Sequence, residues 1–267
     1  MTKEFKNKNE WGLILGGSSG LGLASAKKLA SHGMNICIVH RNLRGEMTEV
    51  QDHFKMIENN GVSFMSFNKD VCRKEHLEEV VKAMKEKFGN EAKIKVLVHS
   101  IARGNLKPMR SEGASDQVLS GTDLSLTIQA MAISMYDWTQ RMYFEGLFSK
   151  EASIIGFTSE GNVKVIEGYG AVSAAKVTLE SISRQMAVEF AVKGFRVNCI
   201  QAGVTDTRSL RMIPKSGQII EMARKRNPNG RITRPEDVAD VVYLLCKEES
   251  RWINGTTLIV DGGEHLR

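Results

Sequence analysis

A tyrosine and a lysine seven residues apart, Tyr169 and Lys176, are the pair in this sequence best suited to moving a proton. Apolar residues recur at helical spacing from Glu167 to Lys193, at Val172, Val177, Leu179, Ile182, Met186, Val188 and Phe190. The stretch therefore reads as a helix, in which seven residues make about two turns and roughly 10.5 Å of rise, so both side chains fall on one face. An ammonium near a phenol favours the phenolate and makes the phenol a better proton donor or relay near neutral pH. The plainer alternative is a helix with one exposed lysine and one half-buried tyrosine, and the surrounding motifs weigh against it.

A second group of residues is suited to phosphate. The short apolar run from Trp11 to Leu15 ends in Gly16-Gly17-Ser18-Ser19-Gly20-Leu21-Gly22, and helical spacing follows from Leu23 to Ala30. Strand, glycine turn and helix in that order place backbone N–H groups and a helix N-terminus against a phosphate, with Gly16, Gly20 and Gly22 critical for close approach. Tight turns also use glycine for steric reasons alone. The next apolar run, Met34 to His40, ends in His40 and Arg41, with Arg44 three residues further on and no acid at the strand end. In dinucleotide folds an acid there binds the ribose 2′-hydroxyl of NAD, whereas arginine accommodates the 2′-phosphate of NADP. NADPH is the expected cofactor, with Arg41 the first candidate and Arg44 the second.

The elements that must position these groups alternate along the chain. A helix is expected from Gly45 to Asn60, a strand from Val62 to Phe67, then Asn68-Lys69-Asp70-Val71 and a charged helix from Lys74 to Phe88. The strand Ile94 to Val98 runs into His99-Ser100-Ile101-Ala102; a polar loop from Arg103 to Gly121 precedes a helix from Asp123 to Phe148 marked by Leu126, Ile133, Trp138 and Met142. Strands are expected at Ser153 to Phe157, which ends at Thr158-Ser159, at Gly194 to Ile200 and at Thr256 to Val260. Right-handed crossovers turn this order into an α/β fold: a single-domain Rossmann fold over residues 1–267, a doubly wound parallel seven-stranded sheet with helices on both faces. The polar, basic segment from Gln201 to Arg231, broken by Pro214, Gly217 and Pro228, lies where a substrate-covering lid would sit.

A chain of 267 residues, 42% hydrophobic, buries one core of ordinary size. Cys37, Cys72, Cys199 and Cys246 sit among apolar neighbours, with no two at metal-ligand spacing, so they read as core residues of a reducing compartment and no metal is expected. The polar opening stretch has no signal-peptide character, and no window holds the eighteen or more apolar residues that span a bilayer. A soluble, cytoplasmic protein is the expectation. The net charge of +6 favours anionic partners, but the basic residues are scattered and match no nucleic-acid motif.

With the glycine turn, Asn68-Lys69-Asp70-Val71, Ser159, Tyr169, Lys176, Arg196-Val197-Asn198 and Val260-Asp261-Gly262-Gly263 all in order, the chain from Gly12 to Gly263 resembles the short-chain dehydrogenase/reductase family. Most members place the active tyrosine four residues before the lysine, where this chain has Val172. The seven-residue spacing, His99-Ser100-Ile101-Ala102 and Ile133-Ser134-Met135-Tyr136 resemble the divergent branch that holds the enoyl-acyl carrier protein reductases, although Ser159 occupies the serine position of ordinary members. The resemblance implies hydride transfer from NADPH to C3 of a trans-2-enoyl thioester, with Tyr169 hydrogen-bonding the enolate oxygen and Lys176 holding the nicotinamide ribose; the alternatives are a 3-ketoacyl or other carbonyl reductase of the same fold, which Ser159 favours and Val172 opposes, and, more distantly, a non-catalytic NADPH-binding regulator. Ser159 hydrogen-bonds substrate or merely ends a strand. By family position, Asp70 and Val71 meet the adenine, Ser100, Ile101 and Ala102 the ribose side, and Thr207 the nicotinamide amide, within Gly203-Val204-Thr205-Asp206-Thr207. A helix cap is the alternative for Thr207. The resemblance also implies a homotetramer and an acidic acyl carrier protein as partner. Arg208, Arg211, Lys215, Arg224, Lys225 and Arg226 would guide that partner, or else form a solvated helix face.

Overall fold

The central strands carry runs of buried apolar residues, such as Trp11 to Leu15, Ile36 to Val39 and Val96 to Val98, which require cover on both faces, and the fold supplies it. The computed structural model describes residues 3–89, 91–110, 118–213 and 215–267. Pro214 and part of the loop expected over 103–121 lie outside the described residues. The strands are β1 (Glu10–Leu15), β2 (Asn35–His40), β3 (Phe64–Asn68), β4 (Lys93–His99), β5 (Phe148–Ser159), β6 (Arg196–Ala202) and β7 (Thr257–Val260), and the helices are α1 (Gly20–Ser31), α2 (Met47–Glu58), α3 (Lys74–Phe88), α4 (Gly121–Ile128), α5 (Ser134–Phe144), α6 (Gly170–Glu189), α7 (Arg208–Arg211), α8 (Ser216–Arg226) and α9 (Pro235–Leu245). All strand pairs are parallel, in the order β3-β2-β1-β4-β5-β6-β7. The chain is thus a single-domain Rossmann fold, whose strand order reverses between β1 and β4, the place where such sheets bind ligands beyond their carboxyl ends.

Alternate residues of the strands from β1 to β6 feed two cores. Leu13, Leu15, Leu97, Ile154 and Val197 pack beneath α3, α5 and α6, whereas Ile14, Val98, Ile155 and Ile200 pack beneath α1, α2 and α9. Cys37, Cys199 and Cys246 are buried among these side chains and Cys72 is half-buried, all four as free thiols.

Two helix expectations need correction. The segment expected as one helix from Asp123 to Phe148 is α4, then a π-turn over Gln129–Ile133, then α5, which ends at Phe144; Phe148 already belongs to β5. The helix expected from Glu167 begins only at Gly170, because Gly168 takes φ 73° and turns the chain away from helical geometry. The basic segment expected as a lid contains α7 and α8, and α9 follows it with Pro235 in its first turn. Among the described residues no helix is long and apolar enough to cross a membrane, and no group of three or more His, Cys, Asp or Glu is placed to hold a metal.

Candidate active site

Tyr169 stands at the N-cap of α6 with φ −94° and ψ 5°, and its carbonyl accepts the Ser173 N–H at 2.8 Å. Its ring packs against Gly161, where a Cβ would come within 2.5 Å of Tyr169 Cε1. The phenol oxygen is 3.2 Å from Ser159 Oγ at the end of β5. Ser159 therefore does more than end a strand. About two turns beyond Tyr169 along α6, the buried Lys176 donates an ammonium N–H to the Phe157 carbonyl at 2.6 Å.

The electrostatics differ from the sequence-based expectation. Burial pushes the Tyr169 phenol above its ordinary value, and the Ser159 hydrogen bond only partly opposes this. Burial also lowers Lys176 to about 8, against the pull of Cys199 and Glu180. The lysine ammonium is spent on a backbone carbonyl and does not pull the phenol down; Tyr169 stays a neutral donor at pH 7. His99, buried at the end of β4, is driven to about 3 by burial and by the Lys176 charge, so it is neutral, 2.8 Å from Ser134 Oγ at the start of α5.

Tyr169 packs against a small third cluster of Ala130, Met131, Val172 and Ala175, which Ile101, Leu106 and Ile128 also flank. Ala130 and Met131 come from the π-turn, a helix irregularity frequent at functional sites. Gly104 covers Val172 so closely that a Cβ there would sit 2.3 Å from Val172 Cγ2. Periodicity does not register a π-turn and so gives no signal for Met131, and Gly104 lies in a loop where spacing carries no signal.

The glycine turn joins β1 to α1 as expected. Gly16 has φ 85°, and a Cβ there would meet the Ser100 carbonyl oxygen at 2.4 Å; one on Gly22 would meet the Gly16 carbonyl oxygen at 2.3 Å. Ser19, the N-cap of α1, makes no side-chain cap and the first turn of α1 carries no acid, which leaves the positive end of this helix unneutralised. Ser18, Ser19, Gly20 and Thr207 also line one end of an open cleft of about 580 Å³ that runs on between α1 and α2, and Glu46, Glu49, Asp206 and Glu236 line it as well. These features fit the pyrophosphate of a dinucleotide. Leu21 instead packs into the α1 core.

The remaining expected positions divide. At the end of β2, Arg41 and Arg44 are exposed, but His40 is buried against Phe54 with Nδ1 2.8 Å from Asn42 Oδ1, and burial lowers its pKa. Asp70 accepts from Arg41 Nη1 at 3.1 Å and from Arg103 Nη1 at 2.9 Å, while the Val71 carbonyl accepts Trp138 Nε1–H at 2.9 Å. Ser100 donates its N–H to the Leu15 carbonyl beside the glycine turn; Ile101 is half-buried and Ala102 exposed. Thr207 caps α7, accepting the Leu210 N–H at 3.2 Å, and also lines the cleft. Gly203 and Thr205 pack against Thr233, with the Thr205 hydroxyl turned back onto the Gly203 carbonyl at 2.9 Å. Of the basic residues near the lid, Arg208 pairs with Glu46, Arg211 with Asp206, Lys215 with Glu167, Arg224 with Glu221, and Arg226 with Glu160 and Glu264.

The model of the family described as Enoyl-(Acyl carrier protein) reductase matches residues 16–265. Dehydrogenase/reductase SDR family member 4 of Rattus norvegicus is 27% identical over 272 residues, covering 100% of this chain and 91% of the relative. The NADH-dependent enoyl-acyl-carrier-protein reductase of Aquifex aeolicus is 28% identical over 197 residues, covering 74% of this chain and 70% of the relative. A short-chain dehydrogenase of Burkholderia cenocepacia, solved in complex with NADP, superposes with a TM-score of 0.80 at 25% identity over 97% of this chain and 98% of that one. The chain belongs to the short-chain dehydrogenase/reductase family, as a divergent member of these oxidoreductases.

Proposed function

We propose that the chain reduces the C=C bond of a trans-2-enoyl thioester with NADPH. The observation that carries this reading is the replacement of one proton donor by another. At the position four residues before the lysine there is a buried valine sealed under Gly104, while a neutral phenol held by Ser159 stands farther along, at the start of α6. An alkene carbon needs no polar partner where it receives hydride, and an apolar wall of Val172, Met131 and Ala130 suits it. The thioester oxygen, conjugated but more distant, does need a donor as negative charge develops, and Tyr169 provides one.

The glycine turn, the α1 N-terminus and Arg41 would hold NADPH, with Lys176 on the nicotinamide ribose; when bound, the cofactor supplies the hydride. Lys176 would exchange the Phe157 carbonyl for the ribose hydroxyls and add positive charge near the developing oxyanion. Ser159 keeps the phenol aimed, and the apolar cluster excludes water from the reacting carbon. NADPH over NADH is read from the absence of an acid at the end of β2 and the exposure of Arg41 and Arg44.

The same Ser159–Tyr169 pair favours a second reading, reduction of a ketoacyl or other carbonyl group, since two hydroxyls 3.2 Å apart can both reach one carbonyl oxygen. NADPH oxidation measured with crotonyl and acetoacetyl thioesters side by side, with NADH as cofactor control, separates the two. Turnover of the crotonyl substrate alone is expected; turnover of acetoacetyl alone assigns the site to carbonyl reduction. We further propose an acyl carrier protein as the natural carrier and a homotetramer as the assembly, the latter covering the apolar residues Phe144, Val177 and Val188 exposed on α5 and α6. Because Arg208, Arg211, Lys215, Arg224 and Arg226 already have acidic partners in the chain, an acidic carrier would have to compete for them. Salt should then raise KM for a carrier-bound substrate more than for its coenzyme A analogue.

A further inference from the structure

One charged side chain at the mouth of the cofactor site belongs to neither the glycine turn nor the proton-transfer pair. Arg103 follows Ala102 in the loop after β4, and its Nη1 donates to Asp70 Oδ2 at 2.9 Å. Arg41, at the end of β2, donates to the same oxygen at 3.1 Å, and the other oxygen of Asp70 takes the Cys72 N–H at 3.0 Å. Asp70 follows β3 and Arg103 follows β4, and these strands flank β2 and β1 in the sheet. The ion pair therefore arches over the carboxyl ends of β2 and β1, where the adenosine half of a dinucleotide lies in this fold.

The charge is unbalanced. Two guanidiniums share a single carboxylate oxygen, and both remain accessible, Arg41 at 59% and Arg103 at 54% side-chain exposure against 15% for Asp70. A phosphomonoester carries close to two negative charges and three strong acceptor oxygens at neutral pH, and guanidinium forks match that geometry. We infer that Arg103 is the second arm of a two-arginine clamp for the 2′-phosphate of the cofactor's adenosine, with the Asp70 carboxylate keeping both arms converged until the phosphate takes them. Arg103 is then a specificity-determining residue reached from β4, beside the arginine that β2 contributes. The inference rests on the NADPH reading proposed above.

The test uses ligands that lack nicotinamide, so that catalysis plays no part: 2′,5′-ADP and 5′-AMP, titrated calorimetrically into the full chain. The wild type should bind 2′,5′-ADP more tightly. Arg103→Ala should lose roughly tenfold on 2′,5′-ADP, as expected for one charge-assisted contact, and leave 5′-AMP unchanged. Arg103→Lys should recover part of the loss, because it restores the charge without the fork. If the wild type shows no preference for 2′,5′-ADP, the NADPH reading falls, and this inference with it. If the wild type shows the preference, Arg41→Ala removes it and Arg103→Ala keeps it, only the role of Arg103 is overturned. Equal weakening of both ligands by Arg103→Ala would also overturn it, since that is the signature of a damaged loop or adenine contact. Arg103 is half exposed, so thermal unfolding of the variant should match the wild type.

Discussion

The two ends of the proposed cofactor site are built from different physics. At the β5–α6 end, Tyr169, Ser159, Lys176 and His99 are buried or half-buried, each held by a short-range partner, and burial is the largest influence on each of the three shifted pKa values. At the β2–β4 end, Arg41, Asp70 and Arg103 form an open ion-paired arch whose members have partners to exchange. Buried groups are poorly screened by salt and fix geometry; exposed pairs contribute little stability but respond to a competing anion. In the reading proposed above, the first end would carry the chemistry and the second would select the cofactor.

The largest effect should come from the buried end. Tyr169→Phe is expected to lower kcat for an enoyl thioester by roughly 100- to 1,000-fold while leaving the NADPH Kd unchanged, measured by steady-state kinetics and cofactor fluorescence. Equal loss of both would mean the tyrosine supports the fold more than the chemistry. His99 gives a stability signature next. Its folded pKa of about 3 lies below the ordinary 6.5, so the stability it underwrites is complete above pH 6.5 and is lost as pH falls towards 3. Across that window the wild type should lose as much as roughly 4 kcal/mol that His99→Gln does not, seen in denaturant titrations at several pH values.

Lys176 is the basic counterpart. Its folded pKa of about 8 lies below the ordinary 10.5, so the unfolded chain binds the extra proton between these values and stability rises with pH across that window. Relative to Lys176→Met, the unliganded wild type should gain roughly 3 kcal/mol from pH 8 to 10.5. A flat difference would mean the ammonium is better solvated than its contact with the Phe157 carbonyl suggests. The smallest effect belongs to the open end: added salt should weaken NADPH binding a few-fold and leave kcat at saturation unchanged, and the Arg41→Ala/Arg103→Ala double variant should lose most of that salt dependence.

The same contrast decides how much was legible in the sequence. The parallel sheet was, because the central strands, buried on both faces, leave short apolar runs in the sequence, and so was the glycine turn, whose backbone makes the turn. Helix limits were less so. Gly168, whose positive φ ends the approach to α6, stands in the sequence as a turn signal, but apolar spacing across Glu167 to Lys193 ran over it. The π-turn at Gln129–Ile133 has no periodic signature, and so the wall formed by Ala130 and Met131 was missed. Tyr169, Lys176 and Ser159 stand out by spacing and family pattern, but their environment does not: the effect of burial on the phenol and the partner of the ammonium depend on Gly161, Phe157 and Ser159, which the fold brings around them. Arg103 adjoined the expected Ser100–Ala102 stretch, but its pairing with Asp70 joins residues 33 apart in the chain and only the fold brings them together.

Enoyl reduction itself is tested most directly by following the hydride. Crotonyl thioester would be reduced with NADPH dideuterated at nicotinamide C4, and the label located in the product by NMR. A single deuterium at C3 of a butyryl thioester is the expected result, with the hydrogen at C2 drawn from solvent. Deuterium on the carbonyl carbon, or turnover confined to acetoacetyl thioester with the label on its hydroxyl-bearing carbon, would contradict the account and place Tyr169 opposite a ketone.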